Sequence, residues 1–202
     1  MMDFTIEFAS RKVLEFYEDG HIYLVDGVIV PSVSQVLDYK FGHKYDSVNP
    51  AVLSRAAGRG TKVHEAIERF CKNGEDDGSK EVKNFRFLQD KYGFRVFASE
   101  LPVIIEYDGL TIAGRFDLQL SIDGEYGGAD VKCVSSLDKE RTAYQLNLYR
   151  LGVKQCYGVD WKFLKAIHLK DDVRKIVDLP IEEEAIKEYL MEYKEKQYES
   201  VH

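Results

Sequence analysis

The sequence predicts an α/β fold in which a central mixed β-sheet is flanked by helices, with the core order α-β-β-β-α-β. Extended apolar runs separated by Asp-Gly turns follow one another between residues 94 and 134, as in a β-meander. Segments with apolar residues three to four apart, typical of helices, lie before and after them. The chain has 202 residues, of which 45% are hydrophobic, and this suits one domain spanning 1–202.

An N-terminal β-hairpin extension is predicted at about 13–40. Short strand-like runs at 16–17, 21–25 and 28–30 are separated by Asp19-Gly20 and Asp26-Gly27, two favourable hairpin turns. Ser32 is a suitable N-cap for a short helix through Leu37. The polar residues that follow, 39–49, predict a loop.

Two helices are predicted before the meander. Pro50 suits the first position of a helix that runs to about residue 72. Its apolar stripe consists of Val52, Ala56, Val63, Ile67 and Phe70. Gly58 and Gly60 are poor helix formers, which leaves open a loop near its start. An acidic loop at 73–78 precedes the second helix, at about 79–91.

The meander and the elements after it complete the predicted core. Its strands are 94–107, 110–122 and 126–134. Ser136 is expected to cap a helix from 137 to about 157. Two further strands at 161–168 and 173–177 precede an amphipathic C-terminal helix at about 181–198.

Two carboxylates and a lysine lie in neighbouring predicted strands. Asp117 follows the apolar run 110–116, and Asp130 and Lys132 are two apart, so they project from the same strand face. The small residues before Asp130 are expected to let a ligand approach the backbone. Converging carboxylates suit Mg²⁺ or Mn²⁺, and a nearby lysine can bind a phosphate or position the attacking water. The pattern indicates a metal-dependent phosphodiester-cleaving site.

Further motifs surround these residues. They are G-T-x-x-H at 60–64, a glutamate at 100, G-x-x-D at 114–117, D-x-K at 130–132 and Q-x-x-x-Y at 145–149. In this order and spacing the chain resembles the PD-(D/E)XK nuclease superfamily, and within it the RecB-like exonuclease branch. The resemblance covers about residues 58–149. Residues 19–23 and 30–33 are similar to the leader of phage and prophage members.

The resemblance implies a restriction-endonuclease-like core and a role for each matching residue. The implied catalytic residues are Asp117, Asp130, Lys132, Gln145 and Tyr149. The implied ligands of Mg²⁺ or Mn²⁺ are His64, Glu100, Asp117 and Asp130, and the imidazole is more compatible with Mn²⁺ than with Mg²⁺. Glu106 competes with Glu100 for the strand position. Gln145 and Tyr149 would steady Lys132 or contact the DNA backbone.

The cysteines and the N-terminus bear on location and cofactors. Cys71, Cys133 and Cys156 are odd in number and widely spaced, which favours reduced thiols in a cytoplasmic protein. Some RecB-like relatives hold an iron–sulfur cluster with three cysteines after the domain. No cysteine follows Cys156, so no such cluster is expected. Neither a secretion signal nor an apolar run of about 20 residues is present, so no membrane partner is expected.

The net charge of -7 is unevenly distributed. Residues 181–202 hold seven Glu and three Lys, a net of −4, which leaves −3 for the rest. In contrast, residues 51–64 contain Arg55, Arg59 and Lys62 and no acid, and these three recur at helical spacing. The lack of acidic partners favours contact with DNA phosphates.

The leading hypothesis is a metal-dependent DNA exonuclease of phage or prophage recombination or DNA processing. A nonenzymatic DNA-binding recombination accessory module and a flap or structure-specific endonuclease are the alternatives, and an RNA-directed enzyme is also open. No G-x-S-x-G motif supports an acyl-transfer hydrolase. The resemblance also allows a homo-oligomer and a single-strand annealing or recombination partner protein.

Overall fold

Two β-sheets, linked by a short parallel bridge, organise the chain. The computed structural model describes residues 2–46 and 48–199. The strands are β1 (Met2–Glu7), β2 (Val13–Tyr17), β3 (Ile22–Val25), β4 (Val28–Val30), β5 (Arg95–Tyr107), β6 (Leu110–Ile122), β7 (Glu125–Lys132), β8 (Phe163–Lys170) and β9 (Val173–Leu179). The helices are α1 (Val33–Phe41), α2 (Pro50–Asn73), α3 (Lys80–Tyr92), α4 (Lys139–Tyr157) and α5 (Glu183–Glu199), with a 3-10 helix at Gly42–Tyr45.

The five-stranded sheet has the order β5-β6-β7-β8-β9 and mixed pairing. β5, β6 and β7 form an antiparallel meander. β8 lies parallel to β7 because α4 carries the chain back along the sheet, and β9 returns antiparallel to β8. The predicted mixed sheet flanked by helices, in the order α-β-β-β-α-β, is confirmed.

The strand bounds follow the turns closely. β6 has the predicted bounds, and its turns at Asp108-Gly109 and Asp123-Gly124 are left-handed at both positions, with φ of 47, 79, 50 and 85°. β8 begins at residue 163, two residues later than predicted. Trp161 is fully buried instead, and its indole N–H donates to Gln119 at 3.0 Å.

The glycines before Asp130 make room for packing. A Cβ at Gly127 would lie 2.2 Å from the ring of Phe163, and a Cβ at Gly128 would lie 2.1 Å from the ring of Trp161. The expectation that these small residues open the backbone to a ligand is therefore wrong, because two aromatic side chains occupy the space.

The N-terminal sheet has the order β1-β2-β3-β4 and is antiparallel. Its β1 strand was not predicted. The backbone N–H of Ala113 donates to the carbonyl of Pro31 at 3.0 Å, and Ser32 forms a parallel bridge with Ala113. These contacts hold the predicted hairpin extension beside β6, the strand that carries Asp117.

The first helix is longer than predicted. The Ser32 hydroxyl accepts the backbone N–H of Gln35 at 3.2 Å, which confirms the predicted cap. The helix continues past Leu37 to Phe41, whose ring is 2% exposed in the core. The loop predicted at 39–49 is therefore wrong in its first part, because burial of Phe41 favours continuing the helix.

The later helices differ from the prediction in two details. α2 is continuous through Gly58 and Gly60, so no loop interrupts it, but its burial begins only at Val63. The predicted N-cap Ser136 is wrong, because Asp138 fills that position and accepts the N–H of Arg141 at 3.1 Å. Among the described residues, no helix combines the length and apolar character needed to cross a bilayer.

Candidate active site

A cleft of about 460 Å³ lies where the N-terminal sheet, α2 and the central sheet meet. Five of the predicted site residues line it: His64, Glu100, Asp117, Gln145 and Tyr149. The other walls come from the β2–β3 turn and the start of α1. The motifs that are separated by up to 85 residues in the sequence therefore converge on one concave surface.

Three potential metal ligands meet in this cleft. One donor atom from each of His64, Glu100 and Asp117 lies within 4.8 Å of the other two. Ser99 pairs with Leu118 and Leu101 pairs with Phe116, so Glu100 and Asp117 face each other across β5 and β6. An imidazole with two carboxylates is a donor set that suits Mn²⁺, and its oxygens also suit Mg²⁺.

Glu100 has an unusual backbone for a strand residue. Its φ is 53°, in the left-handed region that costs a non-glycine residue roughly 1 kcal/mol or more. The neighbouring pairs remain in register, so the distortion is confined to this position. The side chain is half-buried, and Arg115 Nε lies 2.8 Å from its Oε2. Burial, followed by the negative charge of Asp117, raises the pKa of Glu100 to about 7.

Glu106 does not share this position. It lies near the end of β5, is exposed, and forms an ion pair with Lys12. Its backbone N–H donates to Gln155 Oε1 at 2.9 Å, away from the cleft. Of the two glutamates that the sequence left open, Glu100 is the one at the cleft.

The imidazole of His64 is oriented from two sides. Its Nε2 lies 2.8 Å from the carbonyl oxygen of Val131, and its Nδ1 lies 3.4 Å from Asp117 Oδ2. A proton on Nε2, donated to the carbonyl, leaves Nδ1 to face the carboxylates. The attraction of Asp117 outweighs burial and raises the pKa of His64 to about 9. Without a cation in the cleft, His64 is therefore protonated near neutral pH.

Asp117, on β6, is held by a hydrogen bond from the neighbouring strand β7. Its Oδ2 accepts the backbone N–H of Val131 at 2.8 Å. Burial alone would raise the pKa of this carboxyl, but His64, Lys132 and the Val131 N–H together hold it below its ordinary value. Asp117 is therefore ionised and available as a ligand.

Asp130 and Lys132 share one face of β7, as predicted. Lys132 Nζ lies 2.8 Å from Asp130 Oδ2, and Asp130 is only 1% exposed. This contact is an ion pair, and neither carboxylate oxygen has a hydrogen-bond partner among the described residues. Burial raises the pKa of Asp130 to about 6. Asp130 is not part of the three-donor cluster, so its role as a ligand stays a prediction.

Two residues of α4, Gln145 and Tyr149, line the cleft and have different contacts. Lys132 Nζ donates to Gln145 Oε1 at 2.9 Å. One turn later, Tyr149 is 4% exposed, and its ring lies against the backbone of Gly114 on β6. Burial raises the pKa of the Tyr149 phenol well above its ordinary value. Gln145 thus positions Lys132, whereas Tyr149 packs the helix against the strand of Asp117.

The three basic residues predicted to contact DNA, Arg55, Arg59 and Lys62, form a basic stripe on α2 that is only partly available. Arg59 pairs with Glu81 at 2.8 Å and with Asp171 at 3.1 Å. The premise that this stripe lacks acidic partners is therefore wrong for Arg59, because α3 and the β8–β9 turn supply them. Arg55 and Lys62 are exposed on α2 outside the cleft, and their contact with DNA stays a prediction.

Two cleft residues with charged or titratable side chains, Arg115 and His21, were not predicted from the sequence. Arg115 lines the cleft beside Glu100, and its spacing of two from Asp117 on a strand was the available signal. His21 lines the same cleft from the β2–β3 turn. It lies within the leader that resembles phage proteins, for which no role was inferred.

Comparisons with known proteins add little to this geometry. No family model matches the chain, and no curated protein matches it significantly. Among solved structures, the protein SSO0001 is 14% identical, with a TM-score of 0.48 over 81% of this chain and 74% of that chain. A candidate exonuclease from Eubacterium rectale is 13% identical, with a TM-score of 0.44 over 84% of this chain and 79% of that chain. Both likenesses are too remote to assign an activity.

Proposed function

We propose that this chain is a metal-dependent deoxyribonuclease that hydrolyses phosphodiester bonds in the cleft. The observation that carries the proposal is the convergence of His64, Glu100 and Asp117 within 4.8 Å. Lys132 provides a second feature, because it is tied to Gln145, a residue that lines the same cleft. Metal ligands beside a positioned cation are the combination that phosphoryl transfer to water requires.

The residues fit Mg²⁺ or Mn²⁺. The cluster offers hard oxygen donors together with one imidazole whose other nitrogen is already engaged by a backbone carbonyl. Neither buried oxygen of Asp130 has a hydrogen-bond partner among residues 2–46 and 48–199, and a metal ion nearby would add to the charge compensation that Lys132 already gives this carboxylate. When bound, the metal would lower the pKa of water and offset charge on the phosphate.

The side chains of the chain have separate tasks in this proposal. Lys132 donates to a phosphate oxygen or to the attacking water, and its ion pair with Asp130 holds the ammonium group in place. Gln145 fixes the direction of that ammonium from α4. In the metal-free protein near neutral pH, His64 is protonated and Glu100 is about half protonated, because their pKa values are about 9 and about 7. Both groups release their protons when they become ligands.

We further propose a preference for DNA ends. The net charge is -7, so binding depends on few phosphate contacts, chiefly from Arg55 and Lys62. Weak internal binding disfavours continuous duplex, whereas a strand terminus can enter a cleft of this size without distortion. A role in phage or prophage recombination, with its oligomer and partner protein, rests on the sequence resemblance, and a cytoplasmic location rests on the number and spacing of the cysteines.

One assay tests the activity and the end preference together. End-labelled linear DNA and covalently closed circular DNA of the same sequence are incubated with Mn²⁺, with Mg²⁺ and with a chelator. We expect metal-dependent loss of linear DNA and slower loss of circles. Equal rates on both substrates would contradict the exonuclease assignment but not the nuclease assignment. If neither substrate is cleaved in a metal-dependent way, the nuclease assignment is contradicted.

A further inference from the structure

The turn between β2 and β3, residues 18–21, forms one wall of the cleft. Glu18 and His21 from this turn line the same cavity as His64, Glu100 and Asp117. The N-terminal sheet is therefore part of the site wall, although it lies outside the motifs that suggested a nuclease. Its side chains are placed to contact a substrate bound at the candidate metal ligands.

His21 presents an exposed aromatic ring at this wall. Its backbone has a φ of 52°, and its N–H donates to the carbonyl of Glu18 at 3.0 Å, which closes the turn. The ring meets Phe16 edge to face at 5.2 Å and Tyr23 at 5.4 Å, whereas Phe16 and Tyr23 are themselves buried. Two buried rings thus hold an exposed third ring in one orientation at the cleft.

Arg115 connects this wall to the candidate metal ligands. Its guanidinium lies 5.7 Å from the centre of the Phe16 ring, which His21 also contacts, and its Nε lies 2.8 Å from Glu100 Oε2. The side chain is 41% exposed and lines the cleft. Partial burial and the positive charge of Arg115 lower the pKa of His21, so its ring is uncharged near neutral pH.

The combination of an uncharged ring and an arginine matches the two parts of a nucleotide. Nucleobases stack on aromatic side chains, and guanidinium groups bind phosphates with two donors. Glu18 lines the turn beside His21 and disfavours a phosphate there, whereas Arg115 favours one closer to the metal ligands. The charges therefore orient a strand with its base toward the turn.

On the basis of the nuclease function proposed above, we infer that His21 and Arg115 form a nucleotide subsite of the cleft. His21 stacks on one base of the bound strand, and Arg115 binds the phosphate adjacent to that base. The β2–β3 turn thereby sets where the strand stops relative to the metal ligands.

The test compares how wild-type and variant proteins bind DNA strands that each lack one base. The probe is a fluorescent single-stranded DNA of about 12 nucleotides in the presence of Ca²⁺, with one abasic nucleotide moved along it a position at a time. Its affinity is measured by anisotropy for wild-type protein, His21→Asn, Arg115→Gln and the control His43→Asn. Asparagine tolerates the left-handed backbone of residue 21, so His21→Asn removes the ring while preserving the turn. His43 is an exposed histidine outside the cleft.

For wild-type protein and His43→Asn, we expect one abasic position to weaken binding by about 5- to 100-fold. In His21→Asn the intact strand should bind that much more weakly, and the abasic position should have no further effect. Arg115→Gln should weaken intact and abasic strands equally.

Two outcomes separate this subsite from the wider proposal. An abasic effect that is equally large in wild-type protein and in His21→Asn would overturn the subsite and leave the nuclease assignment standing. If wild-type protein binds none of the strands and cleaves no DNA, both are overturned. His21→Tyr provides a further check, because an aromatic ring at residue 21 should restore part of the abasic effect.

Discussion

The backbone of Val131 forms hydrogen bonds with both His64 and Asp117. Its carbonyl oxygen lies 2.8 Å from His64 Nε2, and its N–H donates to Asp117 Oδ2 at 2.8 Å. Val131 itself is buried between Asp130 and Lys132 on β7. One backbone position therefore aligns a candidate ligand from α2 with a candidate ligand from β6 and lies between Asp130 and Lys132, so small shifts of β7 would disturb the whole candidate site.

Replacing Asp130 by Asn should abolish cleavage without loss of stability. The buried carboxyl has a pKa of about 6, so folding at about pH 8 keeps an unfavourable buried charge that Asn lacks. We expect the free energy of unfolding at about pH 8 to stay or to rise by on the order of 1 kcal/mol, and any gain to shrink as the pH falls through 6 and to vanish below the unfolded pKa of 3.8. Urea unfolding with a chelator measures it.

Asp123→Asn is the matched control for that substitution. Asp123 is an exposed turn residue with a φ of 50°, which Asn tolerates, so both activity and stability should remain unchanged. Wild-type rates of DNA cleavage in Asp130→Asn would contradict the role of this carboxylate.

Most of the fold was predictable because its signals are local. Asp-Gly turns set the bounds of β6, and Ser32 set the start of α1. Five of the residues that meet in the cleft were predictable from the order of their motifs. The choice between Glu100 and Glu106 was not, because it depends on the left-handed backbone at Glu100 and on its register with β6.

The predictions for Arg59 and for the glycines before Asp130 were wrong because they depend on contacts between distant segments. Arg59 has no acidic neighbour within its own helix face, and its partner Asp171 lies 112 residues away in the sequence. The space beside Gly127 and Gly128 is filled by rings that follow α4. Neither contact leaves a periodic or compositional signal near the residue concerned.

Gln145→Ala should reduce the rate of cleavage by about 10- to 100-fold while leaving DNA affinity unchanged. The reason is that Gln145 directs the Lys132 ammonium through a 2.9 Å hydrogen bond. Single-turnover rates and binding by anisotropy separate the two effects. The control is Gln155→Ala on the same helix, which removes bonds to the backbone of Glu106 away from the cleft. Equal losses of rate in both variants would indicate a general destabilisation of α4.

The metal-free protein should lose stability as the pH rises through the range in which His64 titrates. Folding raises the pKa of His64 from 6.5 to about 9, so its ion pair with Asp117 contributes fully below about pH 6.5 and is lost as the pH passes about 9. We expect a decrease on the order of 1–3 kcal/mol in the free energy of unfolding. His64→Gln should remove this decrease, and an unchanged decrease in that variant would assign it to another group.

Binding of Mn²⁺ should have the opposite pH dependence. His64 must lose its proton to become a ligand, so the affinity for Mn²⁺ should increase by up to about tenfold per pH unit between about pH 7 and 9. Calorimetric titration in two buffers with different ionisation enthalpies counts the protons released. Affinity that does not depend on pH would exclude His64 as a ligand.

Arg55→Ala and Lys62→Ala should weaken DNA binding without affecting stability. Each should reduce the slope of log affinity against log salt by about one, as expected for a single phosphate contact. Arg59→Ala should instead lower the free energy of unfolding by a few tenths to about 1 kcal/mol, because its partners are Glu81 and Asp171. Salt titrations and urea unfolding of the three variants distinguish the two roles, and an unchanged salt slope in Arg55→Ala and Lys62→Ala would place the DNA elsewhere.

The central claim is that the cleft around His64, Glu100 and Asp117 hydrolyses DNA with a bound divalent metal. The most direct measurement is the rate of cleavage of end-labelled linear DNA in Mn²⁺ by wild-type protein and by Asp117→Asn, each with and without a chelator. We predict cleavage by wild-type protein that the chelator stops and that Asp117→Asn reduces by roughly 1000-fold. Cleavage that persists in the chelator, or an Asp117→Asn variant as fast as wild type, would contradict the claim.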